Sequence, residues 1–407
     1  MLNNIGKSGY ICAKISQSME KIFNNTQVAF ALKSDTELDR AYFLFKMISN
    51  EPLVRIGAAV TNFALNVNLP VEGLIRATVF DHFCGGVNEN DCLSVVDKMY
   101  TKGVSSVLDY SVEGKEEEDQ FDIALKMTLK TIDFAKERQA IPFAVFKPTG
   151  LGRFELYEKL GEKQKLTPEE QAEWDRVVAR FDIVCSEAHK KDVALLIDAE
   201  ESWMQDAADD LVTEMMRKYN KEKAIVFNTL QMYRWDRLDY LKKLHEQAKK
   251  EGFFIGMKLV RGAYMEKEND RAKDKGYPSP ICATKEATDV NYDAAVSYMV
   301  DHLENMSVFA GTHNEESTYF LMKLMEEKGI KTNDNRIWFG QLYGMSDNIS
   351  YNLADHGYNV AKYLPFGPVK DVMPYLIRRA EENTSVAGQT SRELALIKAE
   401  RKRRKGK

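Results

Sequence analysis

Cysteine and histidine are scarce in this sequence, which has only five cysteines and six histidines among its 407 residues. The cysteines stand at positions 12, 84, 92, 185 and 282, an odd number without regular spacing. We therefore expect no disulfide framework and, by default, a reducing compartment. The histidines form no HExxH motif and no CxxC pair accompanies them, so a dedicated zinc or iron site is not expected.

Long apolar runs are missing as well. No stretch reaches the roughly 18 consecutive apolar residues that would indicate a membrane-spanning helix. The N-terminal segment MLNNIGKSGYICAKISQSMEKIF lacks the compact apolar core of a secretory signal, and its low arginine content gives a mitochondrial presequence only weak support. The formal net charge of −5 leaves no basic footprint, so nucleic acid is not an expected partner.

The chain does contain a repeated alternation of short apolar runs and charged helical segments. Its composition, 44% hydrophobic and 29% charged residues, is that of a globular protein. The runs are rich in β-branched residues and each is followed by a polar turn, a pattern that predicts parallel strands joined by helical crossovers. Eight runs have this form: 103–111, 141–148, 192–199, 223–231, 253–261, 306–314, 336–344 and 358–366.

Eight such units predict an α/β protein with a (β/α)8, TIM-like barrel rather than an open sheet. An open sheet that binds dinucleotides would carry GxGxxG after its first strand, and this motif is absent. Before the barrel, from about 26 to 100, apolar residues recur at helical spacing. We therefore predict an N-terminal helical arm over residues 1–100, the barrel over 101–390 and a basic C-terminal tail over 391–407.

The predicted tail ends in the sequence KAERKRRKGK. A charge run of this kind is typical of a disordered, solubilising segment, and this is the interpretation we favour. Attraction to anionic lipid is the alternative, because clustered lysines and arginines bind such surfaces. The N-terminal helices are a second candidate for contact with lipid.

Polar side chains follow all eight predicted strands at their carboxyl ends, where barrel enzymes assemble their sites. In strand order they are Asp109 with Glu113, Lys147, Asp198, Gln231, Lys258 with Arg261, Thr312 with His313, Gln341 and Tyr363. Each one alone is more often a solvated loop residue than a catalyst. Together they form a ring rich in cations, which favours anions: a phosphate-bearing cofactor, a carboxylate substrate, or both.

Two further cations, Arg378 and Arg379, occur in the segment after strand eight, YLPFGPVKDVMPYLIRRAEEN. Pro374 suits the first turn of a helix, because the N–H that proline lacks has no intrahelical acceptor there. On such a helix, spacings of three and four bring Tyr375, Arg378, Arg379 and Glu382 onto one face. The ordinary interpretation is a solvated face with an Arg378–Glu382 ion pair, and the functional one is a clamp over the pocket.

Several blocks of the sequence resemble the proline dehydrogenase family, the FAD-dependent barrel enzymes of proline catabolism. The two longest are KLVRGAY at 258–264 and the segment with the paired arginines. The shorter ones are FKP at 146, LLIDAEES at 195, FNTLQMY at 227, GTHN at 311 and FGQLYGM at 339. Their order and spacing agree with the family over roughly residues 75–390, and the sequence is identified as a member of it.

The resemblance implies a binding site for L-proline. A group of three cations would bind the substrate carboxylate, for which the planar fork of arginine is suited: Lys147, Arg378 and Arg379. Apolar and aromatic side chains would form the wall around the pyrrolidine ring: Leu342, Tyr363 and Tyr375. Three acids would complete the site: Asp198 and Glu113 would balance and orient the cations, and Glu382 would connect the arginine helix to the cofactor.

The resemblance also implies an FAD site. Lys258 would lie near N5 of the isoalloxazine ring, where a positive charge favours reduced, anionic flavin, and Gln231 would lie near the polar edge of that ring. The remaining contacts to the ring and the phosphates would come from the loop after strand five and from the following elements: Arg261, Gly262, Ala263, Tyr264, Lys285, Thr312, His313, Asn314 and Gln341.

The implied reaction oxidises L-proline to Δ1-pyrroline-5-carboxylate by hydride transfer from C5 to N5 of FAD, and a membrane quinone accepts the electrons. A quinone acceptor implies peripheral contact with a bilayer. The implied location is cytoplasmic and membrane-associated, or mitochondrial if the organism is a eukaryote. The architecture is compatible with an oligomer.

Three alternatives remain open. A Schiff-base lyase would use Lys147 or Lys258, because desolvated or crowded lysines become nucleophiles. A non-catalytic barrel would sense proline or serve as a scaffold, although the complete set of cations and acids argues against it. The third is the same oxidation of 4-hydroxyproline; in the family, a tyrosine at the position of Tyr363 excludes the hydroxyl group, which favours proline.

Overall fold

The computed structural model describes residues 21–50, 71–111, 116–385 and 389–406, together with the isolated positions 52, 57 and 61. For residues 74, 77, 380–385 and 389 it describes the backbone only. The central element is a closed barrel of eight parallel strands, in which each strand pairs with its sequence neighbours and the first pairs with the last. The predicted (β/α)8 fold is confirmed.

The eight strands lie within the eight predicted runs and are shorter than those runs at one or both ends. They are β1 Val104–Tyr110, β2 Phe143–Phe146, β3 Ala194–Ile197, β4 Val226–Gln231, β5 Ile255–Val260, β6 Met306–Gly311, β7 Ile337–Leu342 and β8 Val360–Phe366. Parallel strands covered on both faces are largely apolar, which explains why these runs could be recognised.

Helices precede the barrel, alternate with its strands and follow it. In chain order the described helices are α1 Thr26–Ala29, α2 Asp35–Ile48, α3 Glu72–Ile75, α4 Asp81–Phe83, α5 Glu89–Tyr100, α6 Glu118–Glu137, α7 Phe154–Gly161, α8 Pro168–Lys191, α9 Ser202–Tyr219, α10 Arg237–Glu251, α11 Met265–Lys275, α12 Lys285–Asp301, α13 Glu315–Glu327, α14 Asp347–Asp355, α15 Val369–Ser385 and α16 Gln389–Lys405. Short 3₁₀ turns occur at Ile22–Asn24 and Pro148–Gly150, and a π-helical turn at Arg76–Phe80. Among the described residues, no helix has both the length and the apolar character needed to cross a membrane.

Large side chains fill the inside of the barrel. The inward-facing residues form one apolar cluster: Val107, Phe143, Val145, Leu196, Phe227, Phe309, Ala361 and Tyr363. The ring of Phe143 meets those of Phe227 and Phe309 edge to face, with centroid distances of 5.9 and 5.2 Å. Gly340 makes room for Phe309, because a Cβ at position 340 would lie 2.1 Å from that ring. A filled interior of this kind directs ligand binding to the ends of the strands.

Helix α15 begins five residues earlier than its proline suggests. Pro374 lies inside the helix rather than in its first turn, so the prediction of the helix start is wrong. The added residues include Val369, Val372 and Met373, whose apolar side chains are buried in one hydrophobic cluster. Burial of apolar surface therefore extends the helix past the limit that local proline geometry sets.

The basic C-terminal segment is helix α16, so the expectation of a disordered tail is wrong. Leu396 and Ile397 are buried in a cluster with Phe30 and the apolar face of α2. Two arginines of α16 also pair with acids of α2. Arg401 Nε lies 2.6 Å from Asp39 Oδ1, and Arg404 Nη1 lies 2.8 Å from Asp35 Oδ1.

Candidate active site

A cavity of about 550 Å³ lies at the carboxyl ends of the strands. All the predicted site residues except Glu113 and Glu382 line this cavity. These lining residues are Lys147, Asp198, Gln231, Lys258, Arg261, Gly262, Ala263, Tyr264, Lys285, Thr312, His313, Asn314, Gln341, Leu342, Tyr363, Tyr375, Arg378 and Arg379. Glu113 lies outside the described residues, and the side chain of Glu382 does too, so their roles stay predictions.

Asp198, at the end of β3, is the centre of the polar floor of this cavity. Its carboxylate accepts a hydrogen bond from Lys258 Nζ at the end of β5, and its Oδ2 lies 3.6 Å from Lys147 Nζ at the end of β2. Lys147 Nζ is also 3.8 Å from Asp109 Oδ2, and Lys258 Nζ donates to the hydroxyl of Tyr363 at 3.0 Å. One acid therefore fixes two ammonium groups that the chain supplies from different strands.

Burial and neighbouring charges together set the protonation of this floor. Burial alone would raise the pKa of Asp198, but the ammonium groups of Lys258 and Lys147 bring it below its ordinary value. Burial lowers the pKa of Lys258, although the attraction of Asp198 opposes this. Burial, with the negative charge of Asp198, raises the pKa of Tyr363 well above its ordinary value, so this hydroxyl stays protonated.

Helix α15 brings Tyr375, Arg378 and Arg379 to the cavity. The guanidinium carbon of Arg379 lies 5.3 Å from the centroid of the Tyr375 ring, within the range of a cation–π contact. The charge of Arg379 is also felt at His313, whose pKa it helps to lower. The paired arginines thus add positive charge on the side of the cavity formed by α15.

A second group of cations lies in the loop after β5 and at the start of α12. Arg261 Nε is 2.7 Å from Asp289 Oδ1, and Lys285 Nζ is 2.6 Å from Asp289 Oδ2. Arg261 also donates to Thr312 Oγ1 at 2.7 Å. Asp289 was not predicted, although its position four residues after Lys285 on a helix is the spacing of an ion pair.

The Gly262–Ala263 backbone forms part of the cavity wall. Gly262 has a φ of +130°, and a Cβ there would lie 2.5 Å from the ring of Tyr233. Both the backbone conformation and the close approach of Tyr233 therefore require glycine. With no side chain at 262 and a methyl group at 263, the loop leaves its peptide groups open to a ligand.

Two glutamine amides are held in place at the ends of β4 and β7. Gln231 Nε2 donates to the carbonyl of Glu200 at 2.7 Å, and Gln341 Nε2 donates to the carbonyl of Thr312 at 3.1 Å. Gln341 Oε1 accepts a hydrogen bond from Ser350 Oγ at 2.9 Å. These bonds fix the orientation of both amides toward the cavity.

His313 and Asn314 join β6 to α13. Asn314 caps that helix by accepting from Ser317 N at 3.1 Å, which sets the direction of the chain after β6. His313 Nδ1 lies 2.9 Å from Ser346 Oγ. Burial, with the charges of Lys362, Arg379 and Arg261, lowers the pKa of His313 to about 3, so its imidazole is neutral near physiological pH.

Sequence reasoning missed several residues of the cavity lining, among them four with polar or charged side chains: Glu315, Ser346, Arg392 and Glu393. Ser346 lies in the loop after β7, and its position after the carboxyl end of a barrel strand could have indicated a site residue. Arg392 and Glu393 belong to α16, the helix that was predicted as a tail. Arg392 Nε lies 2.8 Å from Glu315 Oε1, a contact across 77 residues that no local pattern indicates.

The fold and the cavity define the class of the protein. It is a (β/α)8 barrel with a cation-rich pocket at the carboxyl ends of its strands, the position where barrel enzymes bind their substrates. A family model described as proline dehydrogenase matches residues 92–392. The chain belongs to the proline dehydrogenase family.

Individual relatives support this membership. The chain is 37% identical over 333 residues to the carbapenem antibiotics biosynthesis protein CarD of Pectobacterium carotovorum, with 82% of this chain and 86% of that protein covered. It is 42% identical over 243 residues to the mitochondrial proline dehydrogenase 1 of Homo sapiens, but the match covers 59% of this chain and 40% of the human protein. The chain thus matches about two fifths of the human protein's length.

Solved structures give the same fold. Proline utilization A from Bdellovibrio bacteriovorus, in a crystal structure of the protein inactivated by N-propargylglycine, superposes with a TM-score of 0.69 and 21% sequence identity. The superposition covers 95% of this chain and 42% of that protein. Proline utilization A from Bradyrhizobium japonicum, as a D778Y mutant, superposes with a TM-score of 0.64 and 19% identity, covering 78% of this chain and 32% of that one.

Proposed function

We propose that this protein is an FAD-dependent proline dehydrogenase, which oxidises L-proline to Δ1-pyrroline-5-carboxylate. The observation that carries the proposal is the gathering of four cations with aromatic side chains around one cavity: Lys147, Lys258, Arg378 and Arg379 with Tyr363 and Tyr375. A small amino acid with a carboxylate and a saturated ring matches both features. Family membership supports the same choice of substrate.

The cations would bind and orient the substrate. Arg378 and Arg379 would bind its carboxylate through charge-assisted hydrogen bonds, and Lys147 would add a third donor. Tyr363, Tyr375 and Leu342 would pack against the apolar carbons of the ring. Hydride loss from C5 requires a neutral amine, and the positive charge around the pocket favours the deprotonated, anionic form of proline.

The cavity fits a flavin dinucleotide in size and in chemistry. Its volume of about 550 Å³ lies within the usual range for cofactor sites, about 300–1,000 Å³. Arg261 and Lys285 supply positive charge for a diphosphate, beside the exposed peptide groups of Gly262 and Ala263. The fixed amides of Gln231 and Gln341 suit the polar edge of the ring system, and Tyr264, Thr312, His313 and Asn314 would complete the binding site.

Bound there, FAD would supply the two-electron acceptor, taking the C5 hydride at N5. The chain itself would contribute orientation and electrostatics. Lys258, held by Asp198, would place a fixed positive charge near the ring, and the arginine clamp would hold C5 in the reacting position. Glu113 would balance the cations with Asp198, and Glu382 would link α15 to the cofactor.

A membrane quinone is proposed as the final electron acceptor, with peripheral contact to the bilayer. Helix α16 and the N-terminal helices are the proposed contact regions, since α16 ends in a run of basic residues. The corresponding location is cytoplasmic and membrane-associated, or mitochondrial in a eukaryote.

An absorbance spectrum of the purified protein, taken anaerobically with and without proline, tests the proposed function. We expect a flavin band in the blue that bleaches when proline is added. A colourless protein, or a flavin band that proline leaves unchanged, would contradict the proposal. The second outcome would instead support a barrel that binds flavin without oxidising proline.

A Schiff-base lyase is less consistent with the lysines. The pKa of Lys258 is lowered by burial, which suits a nucleophile, but its ammonium group is hydrogen-bonded to Asp198. Lys147 lies within 3.8 Å of two carboxylates, and such partners favour the protonated, non-nucleophilic form. Borohydride reduction in the presence of an aldehyde or ketone substrate should therefore trap no covalent adduct on either lysine.

Replacing Tyr363 by serine is expected to improve the use of 4-hydroxyproline. The ring of Tyr363 is buried at the cavity floor, where a larger substrate would meet it, and serine would leave room for the extra hydroxyl group. The ratio of kcat/KM for hydroxyproline to kcat/KM for proline should rise about tenfold or more, the scale on which pocket fit discriminates between similar substrates.

Tyr363→Phe is the matched control for this change. It keeps the ring but removes the hydroxyl that accepts from Lys258, so substrate selectivity should stay that of the parent. If Tyr363→Ser and the parent discriminate equally between proline and hydroxyproline, Tyr363 does not exclude the hydroxyl group sterically.

A further inference from the structure

Helix α16 contributes a buried acid to the cavity. Glu393 is 4% exposed and lines the same cavity as the predicted cofactor residues. It lies just beyond residue 392, where the match to the family model ends. The acid reaches the cavity because Leu396 and Ile397 anchor α16 against α2 one turn further along.

The carboxylate of Glu393 accepts a hydrogen bond from the backbone N–H of Ser346. Ser346 has φ 51° and ψ 41°, the left-handed conformation, which non-glycine residues adopt only when their surroundings hold them in it. The residues on either side of Ser346 are tied down by Lys362 of β8. Its Nζ donates to the carbonyl of Met345 at 2.6 Å and lies 2.7 Å from Asp347 Oδ1.

In this conformation the side chain of Ser346 meets His313. Ser346 Oγ and His313 Nδ1 are 2.9 Å apart. The hydroxyl can donate to a bare Nδ1 or accept from Nδ1–H, so this contact orients the ring and couples the imidazole tautomer to the position of the Ser346 hydroxyl. The tautomer in turn decides what the other nitrogen, Nε2, can offer to a ligand. Because the imidazole is neutral, this tautomer is what determines its chemistry in the cavity.

We propose that Glu393 is a positioning residue for the cavity: it holds Ser346 in the left-handed conformation from which the Ser346 hydroxyl orients the ring of His313 and sets the balance of its tautomers. Helix α16 thereby determines the arrangement of residues in the cavity. Only the consequence for flavin rests on the proposed function, since His313 is among the residues proposed to bind that cofactor.

The imidazole nitrogens of His313 report on this arrangement directly. The chain has six histidines, so ¹⁵N-edited NMR of histidine-labelled protein gives few signals, and His313→Asn identifies those of His313. In the parent we expect a single tautomer. Glu393→Ala should give a mixture of tautomers, whereas Glu393→Gln, whose amide oxygen can still accept from Ser346 N–H, should keep the parent spectrum.

Ser346→Gly separates the hydroxyl from the backbone conformation. Glycine adopts the left-handed region without strain, so this variant should fold while losing the bond to Nδ1, and its His313 signals should match those of Glu393→Ala. In the Ser346→Gly background, Glu393→Ala should change the His313 signals no further. This pair keeps the test valid even where Glu393→Ala alone folds poorly.

Glu400→Ala is the control for loosening α16. Glu400 is buried on the same helix and pairs with Arg403 and Arg404, outside the cavity lining. The Glu400→Ala variant should have a lower free energy of unfolding than the parent and unchanged His313 signals. Unaltered His313 signals in Glu393→Ala and Ser346→Gly would overturn the proposal, as would a Glu393→Gln spectrum like that of Glu393→Ala.

Release of FAD from the holoprotein provides a second measurement. Diluted holoprotein should lose its flavin about tenfold faster in Glu393→Ala and Ser346→Gly than in the parent or Glu400→Ala, the scale expected for one lost hydrogen bond. An unchanged release rate would overturn the link to the cofactor. A parent protein without flavin would contradict the proposed function instead, and the NMR measurements would still decide the role of Glu393.

Discussion

Arg378→Met and Arg379→Met are each expected to raise the KM for proline at least about tenfold. A hydrogen bond between charged groups contributes about 1.5–3 kcal/mol, and about 1.4 kcal/mol corresponds to a factor of ten in affinity. Methionine keeps much of the apolar stem but removes the guanidinium. Because the same clamp would also hold C5 in the reacting position, kcat should fall together with the rise in KM.

Two controls separate the clamp from general effects of charge. Arg→Lys at the same positions keeps the charge but not the planar fork, and should recover only part of the affinity. Arg401→Met removes an arginine of α16 that pairs with Asp39 outside the cavity, and should leave KM unchanged. Steady-state kinetics over a range of proline concentrations measures all of these, and parental KM values in both methionine variants would refute the carboxylate role.

The barrel could be predicted because its strands obey a simple physical rule. A parallel strand covered on both faces is largely apolar and often rich in β-branched residues. Once eight such strands close into a barrel, their carboxyl ends must meet, so Lys147, Asp198 and Lys258 were expected at one site. Asp198 and Lys258 are 60 positions apart in the sequence, yet the closure of the sheet brings them together.

The pairing of side chains at that site could not be predicted. Asp198 and Glu113 were the acids expected to balance the cations, and only the structure shows that Asp198 bonds to Lys258 and also lies near Lys147. The order of the strands places two side chains near each other only to within several ångströms. An ion pair, in contrast, depends on distances near 3 Å. The same limit applies to Asp289, which lies between Arg261 and Lys285.

The errors at the C-terminus have a different cause. Helix α16 reads as a charge run because its burial depends on two apolar side chains, Leu396 and Ile397, and its acidic partners are on α2. Arg404 and Asp35 are separated by 369 positions, so no local pattern could join them. The contribution of Glu393 to the cavity follows from that packing and was equally hidden.

Asp198→Ala is expected to lower the free energy of unfolding by about 3–5 kcal/mol, the loss that follows when one partner of a buried ion pair is removed. The carboxylate is hydrogen-bonded to Lys258, which is 5% exposed, and lies 3.6 Å from Lys147. Without it two ammonium groups would share the cavity floor, where Asp109 Oδ2 lies 3.8 Å from Lys147 Nζ. Urea denaturation at neutral pH measures the change.

Asp334→Ala is the matched control, because Asp334 forms a two-point pair with Arg336, whose side chain is 44% exposed, and pairs with a solvent-exposed partner contribute about 0–1 kcal/mol. Adding Lys258→Met to Asp198→Ala should recover part of the lost stability, since it removes the uncompensated buried charge. A loss in Asp198→Ala no larger than that in Asp334→Ala would contradict the central position of Asp198.

The pH dependence of stability tests independently whether Asp198 stabilises the protein as a carboxylate. The pKa of Asp198 is lower in the folded protein than its ordinary value, so its contribution to stability is present above the ordinary carboxyl pKa and is lost as pH falls through the folded value. The stability difference between parent and Asp198→Ala should therefore be largest near neutral pH and shrink in acid. A difference that grows as pH falls would mean that Asp198 is held in the protonated form, and the lysines would then lack the anion that fixes them.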